Sequence, residues 1–173
     1  MANAKPQAHT SSYGHASYPV IADYGPAYTV PGAFEIPPKR TEARALFDVS
    51  AAPEAPDQVS AGLKRIARYL NLYAAVGVDP KLLHVVAVLH GKATSAALRH
   101  EVYSQHFPGN AENPHLALLR ALHKAGVVLY VCGQAIRDSG YHDQDIVPDV
   151  SLAYSALAVV TNYQDRNFAY FPV

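Results

Sequence analysis

Cys132 is the most reactive side chain that the sequence offers, and it is the only cysteine among 173 residues. The apolar run 127–131 leads directly into it, and Gly133 follows. A continuous run of β-branched and aromatic residues is typical of a strand buried on both faces. The segment after it, up to Gly140, predicts a short helix. We therefore expect the cysteine where the carboxyl end of a strand turns into a helix, whose free N–H groups favour a thiolate.

His90 is the second candidate for chemistry, because it ends another apolar run, residues 82–89, and is followed by Gly91. The carboxyl ends of neighbouring parallel strands meet at one edge of a sheet, where ligands of open α/β folds gather. His90 is therefore expected at the same edge as Cys132, where it would favour the thiolate or shuttle a proton. Gly91 would form the tight turn beside it. The alternative is a structural histidine bonded to a loop carbonyl.

Gly133 and Gln134 are candidates for binding a substrate beside the thiol. Gly133 would let the backbone or a partner approach the sulfur closely. Gln134 would either orient a bound group or cap the helix, and the sequence leaves both roles open. The backbone N–H groups of these two residues are the expected source of stabilisation for negative charge on sulfur.

The elements that must position these residues alternate between strands and helices along residues 41–173. Apolar runs predict strands at 43–49, 82–89, 127–132, 150–153 and 168–173. Amphipathic spacing predicts helices at 60–76, 113–125, 133–140 and 155–165, and helical structure over part of 94–106. Asn113 as N-cap and Pro114 at the first helical position predict the start of the third of these helices in chain order, 113–125. This alternation predicts an α/β fold, with a mostly parallel sheet of about five strands and helices on both faces.

Residues 1–40 differ from the rest of the chain, because they are rich in proline, tyrosine and small polar residues. Such a composition makes a separate core unfavourable and favours an extended arm. The tyrosines, together with Phe34, argue that the arm lies across the domain or across a neighbouring subunit. For residues 1–16 a free tail is an equal alternative. The predicted organisation is thus an arm, 1–40, followed by an α/β domain, 41–173.

The composition bears on several classes of function. Fourteen basic residues balance fourteen acidic ones, so no electrostatic footprint for nucleic acid is expected. One cysteine cannot form an internal disulfide, and no apolar run reaches the roughly 18 residues of a membrane span. The nine histidines form no ligand pattern that predicts a metal site. Glycine-rich phosphate loops are lacking, so no cofactor is expected.

The residues around the cysteine resemble the DsrE/DsrF-like proteins, a sulfur-relay group that also includes the TusD-like subunits. The similarity covers roughly residues 41–173, and the run Tyr-Val-Cys-Gly-Gln is its most specific part. It is carried by five segments: Tyr130-Val-Cys-Gly-Gln-Ala135, Val85-Val-Ala-Val-Leu-His-Gly91, the helix sequence from Asn113 to Gly126, Ser155-Ala-Leu157 and Tyr170-Phe-Pro-Val173.

The resemblance implies a function in sulfur handling. Cys132 would accept sulfur from an upstream persulfide and pass it to the next thiol, so that the chain acts as a sulfur carrier or sulfurtransferase. It further implies a homo-oligomer, a trimer or hexamer, with a donor or acceptor protein as partner. Two alternatives stay open: a non-catalytic oligomeric binding or assembly protein of the same fold, and a redox-sensing module for a small ligand. The Pro/Tyr-rich arm departs from the minimal relay subunits.

The compartment is open from the sequence. The chain as given fits the cytoplasm, since no apolar leader core is present. Ala2-Asn-Ala4 has the small-x-small pattern of a cleavage site, and relatives with an exported leader occur in the family that the chain resembles. Removal of such a leader would instead place the protein in the periplasm.

Overall fold

A computed structural model of the protein describes residues 13–38 and 42–173. Five parallel strands form one sheet, and their order across it is fourth, third, second, first, fifth. The chain crosses the sheet in one direction from the first strand to the fourth, and then returns to place the fifth strand on the other side of the first. The strands are β1 (Ala43–Val49), β2 (Leu83–Leu89), β3 (Val128–Cys132), β4 (Ser151–Ala153) and β5 (Ala169–Pro172).

Helices cover both faces of this sheet. The buried side chains of α1 and α3 belong to one hydrophobic cluster, and those of α5 belong to another on the opposite face. The predicted α/β fold is therefore confirmed, with a sheet that is entirely parallel. The helices are α1 (Ala61–Ala75), α2 (His100–His106), α3 (Leu116–Lys124), α4 (Gly133–Asp138) and α5 (Ala156–Gln164), with 3₁₀ turns at Pro80–Leu82, Gly91–Ala97 and Asp143–Asp145.

The alternation of side chains along β1 divides the two cores. Ala45, Phe47 and Val49 pack into the larger cluster under α1 and α3. Leu46 packs into the smaller cluster under α5, together with Cys132. Successive side chains of a strand point to opposite faces, so the α5 face of the sheet also carries Asp48.

The predicted start of the third helix is wrong. Helix α3 begins at Leu116, and His115 rather than Asn113 is its N-cap residue. The Asn113 carboxamide is already engaged, since its oxygen accepts the backbone N–H of His115 at 3.0 Å and its nitrogen donates to the Leu98 carbonyl at 2.7 Å. The predicted helix over 94–106 is likewise divided into a 3₁₀ turn and the short helix α2.

Asn71 of α1 makes five hydrogen bonds to the backbone of the described part of the arm. Its oxygen accepts the backbone N–H groups of Val20 and Ile21, each at 2.9 Å. Its nitrogen donates to the carbonyls of Ile21, Tyr24 and Gly25, each at 3.0 Å. We call Asn71 and the backbone of residues 20–25 the arm anchor. Residues 1–12 and 39–41 of the predicted arm lie outside the described residues.

Ile21 of the arm anchor is buried in the larger core, so this segment contributes apolar packing as well as hydrogen bonds. An antiparallel bridge between Ser17 and Ala27 closes the loop around it. Within the two described ranges, no helix combines the length and the apolar character that crossing a bilayer requires.

Candidate active site

Cys132 is the last residue of β3, and α4 begins at the next residue. Its side chain packs on the α5 face of the sheet, and only 6% of the residue's surface is exposed. The cysteine lines a cavity of about 390 Å³, which we call the carboxyl-edge cavity. The walls of this cavity are partly apolar, through Ala135, Ala156, Leu157 and Val160. A thiol so placed can meet a small group, or a narrow chain, that enters the cavity.

Four adjacent strands each bring one polar or nucleophilic side chain to the carboxyl-edge cavity. Cys132 comes from β3, His90 follows β2, Asp48 is in β1, and Tyr170 is in β5. Val88 pairs with Asp48 on one side and with Tyr130 on the other, and registered residues of parallel strands share a face. Two residues further along β2 and β3, this register places His90 beside Cys132.

Asp48 joins two of these side chains. His90 Nε2 lies 2.7 Å from Asp48 Oδ1, and the Tyr170 hydroxyl donates to Asp48 Oδ2 at 2.5 Å. The hydrogen bond to the carboxylate raises the pKa of Tyr170, with smaller contributions from desolvation and from the negative charge of Asp48. Tyr170 thus keeps its proton and serves as a donor at neutral pH.

The beginning of α5 forms another wall of the cavity. Ser155 is the N-cap residue, and its side chain accepts the backbone N–H of Ala158 at 3.0 Å. The N–H groups at the first two helical positions, Ala156 and Leu157, have no partner within the helix, as at any helix N-terminus. They add positive potential at the cavity wall.

The two predicted substrate-binding residues beside the thiol have other contacts. A Cβ at Gly133 would lie 2.9 Å from the Ala153 carbonyl oxygen, so the lack of a side chain there allows α4 to pack against the end of β4. Gln134 lines the cavity, and its amide donates to the Tyr154 carbonyl at 3.0 Å. Gly91 also lines the cavity and has a φ of +53°, a conformation that glycine adopts without strain.

Sequence analysis missed two residues of this site, Asp48 and Tyr170. The signal for Asp48 is an acidic residue within the predicted strand 43–49, which by itself is typical of a strand face partly exposed to solvent. The signal for Tyr170 is weaker, since a tyrosine in the last predicted strand is typical of a residue that only packs against the core. Nothing local indicated that the two would meet, because they are 122 positions apart in the chain.

Gly91 also borders a second cavity, of about 400 Å³. Its other walls combine aromatic and proline side chains, such as Pro56, Tyr103 and Phe107, with polar ones. It contains no cysteine or histidine, so the carboxyl-edge cavity is the better candidate for chemistry. In the described ranges no three His, Cys, Asp or Glu residues cluster in a way that could hold a metal ion.

Two solved structures are similar to the chain. One is MTH1491 from Methanobacterium thermoautotrophicum, described as a protein of unknown function, with 18% identity and a TM-score of 0.56. The other is the ychN protein from E. coli, with 17% identity and a TM-score of 0.56. Each alignment covers 76% of this chain and 99% of the other. At these identities the similarity shows a shared fold.

No curated protein matches the sequence. The family model of the DsrE/DsrF-like family, however, matches residues 43–172. That range contains all five strands, and with them the Cys132, His90, Asp48 and Tyr170 side chains of the carboxyl-edge cavity. The chain is a member of the DsrE/DsrF-like family.

Proposed function

We propose that this protein handles sulfur by carrying it as a persulfide on Cys132. The observation that carries the proposal is the position of the chain's only cysteine in a cavity with His90, between the ends of β3 and α4. A thiolate is the nucleophile in exchange between sulfur atoms. The family to which the chain belongs adds support, although fold alone does not fix a substrate.

The proposed transfer begins with His90 taking the proton of the Cys132 thiol. The thiolate attacks the terminal sulfur of a donor persulfide, R–S–SH, and a new sulfur–sulfur bond forms to Cys132. The donor's sulfur–sulfur bond breaks, and its electron pair leaves on R–S⁻, which takes the proton back from His90. Cys132 now carries the extra sulfur, and no external oxidant is needed. The same exchange in reverse passes the sulfur to an acceptor thiol.

Gly91, Gly133 and Gln134 would support this exchange through their backbone. Gly91 would give the turn that presents His90, and the N–H groups of Gly133 and Gln134 would stabilise charge on the entering sulfur. The Gln134 side chain is engaged with the Tyr154 carbonyl. This side chain therefore holds the start of α4 against the Tyr154 backbone. Gln134 would contact the substrate through its backbone N–H group instead.

The partners in this proposal are a sulfur donor or acceptor protein and further copies of this chain, in a trimer or hexamer. Large apolar side chains next to the cavity support a docking role, since Tyr154 is 84% exposed and Leu157 is 81% exposed. Exposed apolar clusters of this kind are typical of protein interaction sites. Native mass spectrometry of the purified protein would give the oligomeric state, and a monomer at micromolar concentration would contradict this part of the proposal.

A second candidate function is a non-catalytic assembly protein, and the burial of Cys132 favours it. Buried cysteines are commonly inert packing residues. A redox-sensing module is a third candidate, in which Cys132 is oxidised reversibly without transfer to a partner. Thiol reactivity in the folded protein separates the assembly protein from the other two candidates. A packing cysteine reacts with a thiol reagent only after unfolding, whereas a carrier or sensor reacts in the folded protein.

The test is intact-mass spectrometry after incubation with a low-molecular-weight alkyl persulfide, comparing wild type with Cys132→Ser. We expect the wild type to gain the mass of one sulfur atom, the variant to gain none, and a reductant to reverse the change. A thiol that takes up no sulfur and stays protected until unfolding would overturn the carrier proposal. Oxidation by peroxide without sulfur uptake would favour the sensor.

A further inference from the structure

The Asp48 carboxylate is the centre of a hydrogen-bonded chain that runs across three strands, from Tyr170 through Asp48 to His90. We propose that Asp48 and Tyr170 are positioning residues that hold His90 with its proton on Nε2, so that Nδ1 is the atom that accepts the proton of Cys132. This inference rests on the proposed function for the identity of the reaction. The arrangement of His90 itself can be tested without any sulfur chemistry.

The hydrogen-bond donors and acceptors around Asp48 determine which nitrogen of His90 carries the proton. An ionised carboxylate only accepts hydrogen bonds. Asp48 Oδ2 accepts from the Tyr170 hydroxyl at 2.5 Å, and Oδ1 lies 2.7 Å from His90 Nε2. The 2.7 Å contact is therefore a hydrogen bond only if Nε2 carries a proton. In a neutral imidazole the other nitrogen, Nδ1, then has a free lone pair.

Two donors reach the carboxylate oxygens of Asp48, the Tyr170 hydroxyl at one oxygen and His90 Nε2 at the other. The raised pKa of Tyr170 agrees with a phenol that shares its proton with a carboxylate. Tyr170 fixes the rotation of the carboxylate, because a carboxylate held at one oxygen only could turn away from the imidazole.

The strands make this geometry rigid. Tyr170 lies opposite Leu46 in the register of β5 and β1, so its side chain is on the same face of the sheet as Asp48. Leu89, the last residue of β2 before His90, pairs with Val49 and with Val131. The histidine is therefore held between the strand that carries the carboxylate and the strand that carries the thiol. Rigid elements of this kind keep a proton acceptor in place better than a loop does.

In the transfer, the imidazole takes the Cys132 proton at Nδ1, and its positive charge faces the Asp48 carboxylate at Nε2. The proton then returns to the departing thiolate, so Asp48 and Tyr170 are unchanged at the end. The other titratable groups that line the same cavity are Cys132, Asp138 and Tyr170. Asp138 stands near Arg137, with 3.7 Å between their charged atoms, and both side chains are mostly exposed. Asp48 is thus the carboxylate bonded to His90.

The first measurement is the ¹⁵N chemical shifts of the His90 imidazole in the full chain, in the pH range where the ring is neutral. The signal is assigned by its loss in His90→Gln. We expect the Nε2–H tautomer in the wild type, a mixture of tautomers in Asp48→Ala, and a partial mixture in Tyr170→Phe. Tyr28→Phe, an exposed tyrosine on the arm, is the matched control and should leave the spectrum unchanged. An Nδ1–H tautomer in the wild type, or the wild-type spectrum in Asp48→Ala, would overturn the inference.

The second measurement is the rate of sulfur uptake from the alkyl persulfide at a single pH. Losing an oriented base should slow uptake by about tenfold or more in Asp48→Ala, and by about threefold in Tyr170→Phe. Asp48→Asn should restore part of the rate, since its amide oxygen can still accept from Nε2.

The two measurements separate two kinds of failure. Suppose that the wild type takes up no sulfur, but has the Nε2–H tautomer of His90 and loses it in Asp48→Ala. That result contradicts the proposed function and leaves the positioning of His90 intact. A wild type that takes up sulfur at the same rate as Asp48→Ala contradicts the positioning role of Asp48 alone. Circular dichroism and thermal melting show whether each variant is folded, and Tyr170→Phe serves should Asp48→Ala fail to fold.

Discussion

The arm anchor and the carboxyl-edge cavity are both built from polar groups far apart in the chain. They differ in the partners of their hydrogen bonds and in whether a reactive group stays accessible beside them. Asn71 is fully buried, and both its oxygen and its nitrogen bind backbone groups of residues 20–25. At the cavity the bonds run between side chains, from Tyr170 to Asp48 to His90, beside a thiol and open space.

This difference distinguishes polar groups that stabilise the fold from polar groups that can take part in a reaction. A buried amide whose partners are all backbone groups fixes one chain segment on another, and its loss costs stability. A network that ends beside a nucleophile keeps a group free for an incoming molecule. We therefore expect substitutions at the arm anchor to change the free energy of unfolding, and substitutions at the cavity to change reactivity.

The largest effect is expected for Asn71→Ala. The substitution removes the side-chain partner of the buried Ile21 N–H group, of the partly buried Val20 N–H group and of the arm carbonyls. Each buried group left unpaired in this way costs about 1–3 kcal/mol. The free energy of unfolding should fall by roughly 3 kcal/mol or more, as measured by urea denaturation. Asn162→Ala, at an exposed position of α5, is the matched control and should change it by less than about 0.5 kcal/mol. Equal effects would mean that the arm anchor contributes nothing to stability.

Gly25→Ala tests the arm anchor from the side of the backbone. A Cβ there would lie 2.2 Å from the backbone nitrogen of Arg68, and Gly25 has a φ of +58°. Gly32 has a φ of +76° with nothing near its missing Cβ, so Gly32→Ala isolates the conformational cost of about 1 kcal/mol. Gly25→Ala should cost about 2 kcal/mol more than Gly32→Ala in urea denaturation. Similar values for both would show that the arm can lift from α1 without loss.

His115 is a second fully buried polar residue, and it extends the comparison to a group that titrates. Desolvation by burial, and then the positive charge of Lys64, lower the pKa of His115 to about 4. The unfolded chain takes up this proton near its ordinary pKa of about 6.5, whereas the folded protein does not until pH 4 is approached. Folding is therefore opposed as the pH falls from 6.5 toward 4, by roughly 2 kcal/mol between pH 7 and pH 5.

His115→Phe should flatten the decrease in stability over that pH range by the same amount, because the ring remains but no longer titrates. Urea denaturation at pH 7 and at pH 5 measures it. His123→Gln controls for the loss of an exposed imidazole on the same helix. Parallel pH dependences in wild type and His115→Phe would show that His115 is not held neutral.

The smallest effect on stability is expected at the cavity, for Tyr170→Phe. The residue is 41% exposed, and the phenyl ring keeps its packing while only the hydroxyl is lost. The free energy of unfolding should change by less than about 1 kcal/mol, while sulfur uptake slows as described above. A large loss of stability with unchanged uptake would place the Tyr170–Asp48 bond with the structural polar groups, and the comparison between the two regions would fail.

The sequence predicted the fold well because its signals are local. Apolar runs of strand length and amphipathic stripes of helix length are short-range patterns, and they placed all five strands and the cysteine at a strand end. The start of α3 was wrong because Asn113 and Pro114 form a valid helix start locally. The Asn113 amide instead binds the carbonyls of Ala96 and Leu98, which the sequence does not place nearby.

The sequence by itself determined the α/β alternation, the family resemblance, and the positions of Cys132 and His90 at strand ends, since each follows from a contiguous run of residues. Only the tertiary structure decided that Asp48 and Tyr170 join them. β5 pairs with β1 after the chain has crossed the sheet, and that pairing brings together side chains 122 positions apart. Strand order is set by packing between distant segments, so the partners of the histidine appear only once the sheet is assembled.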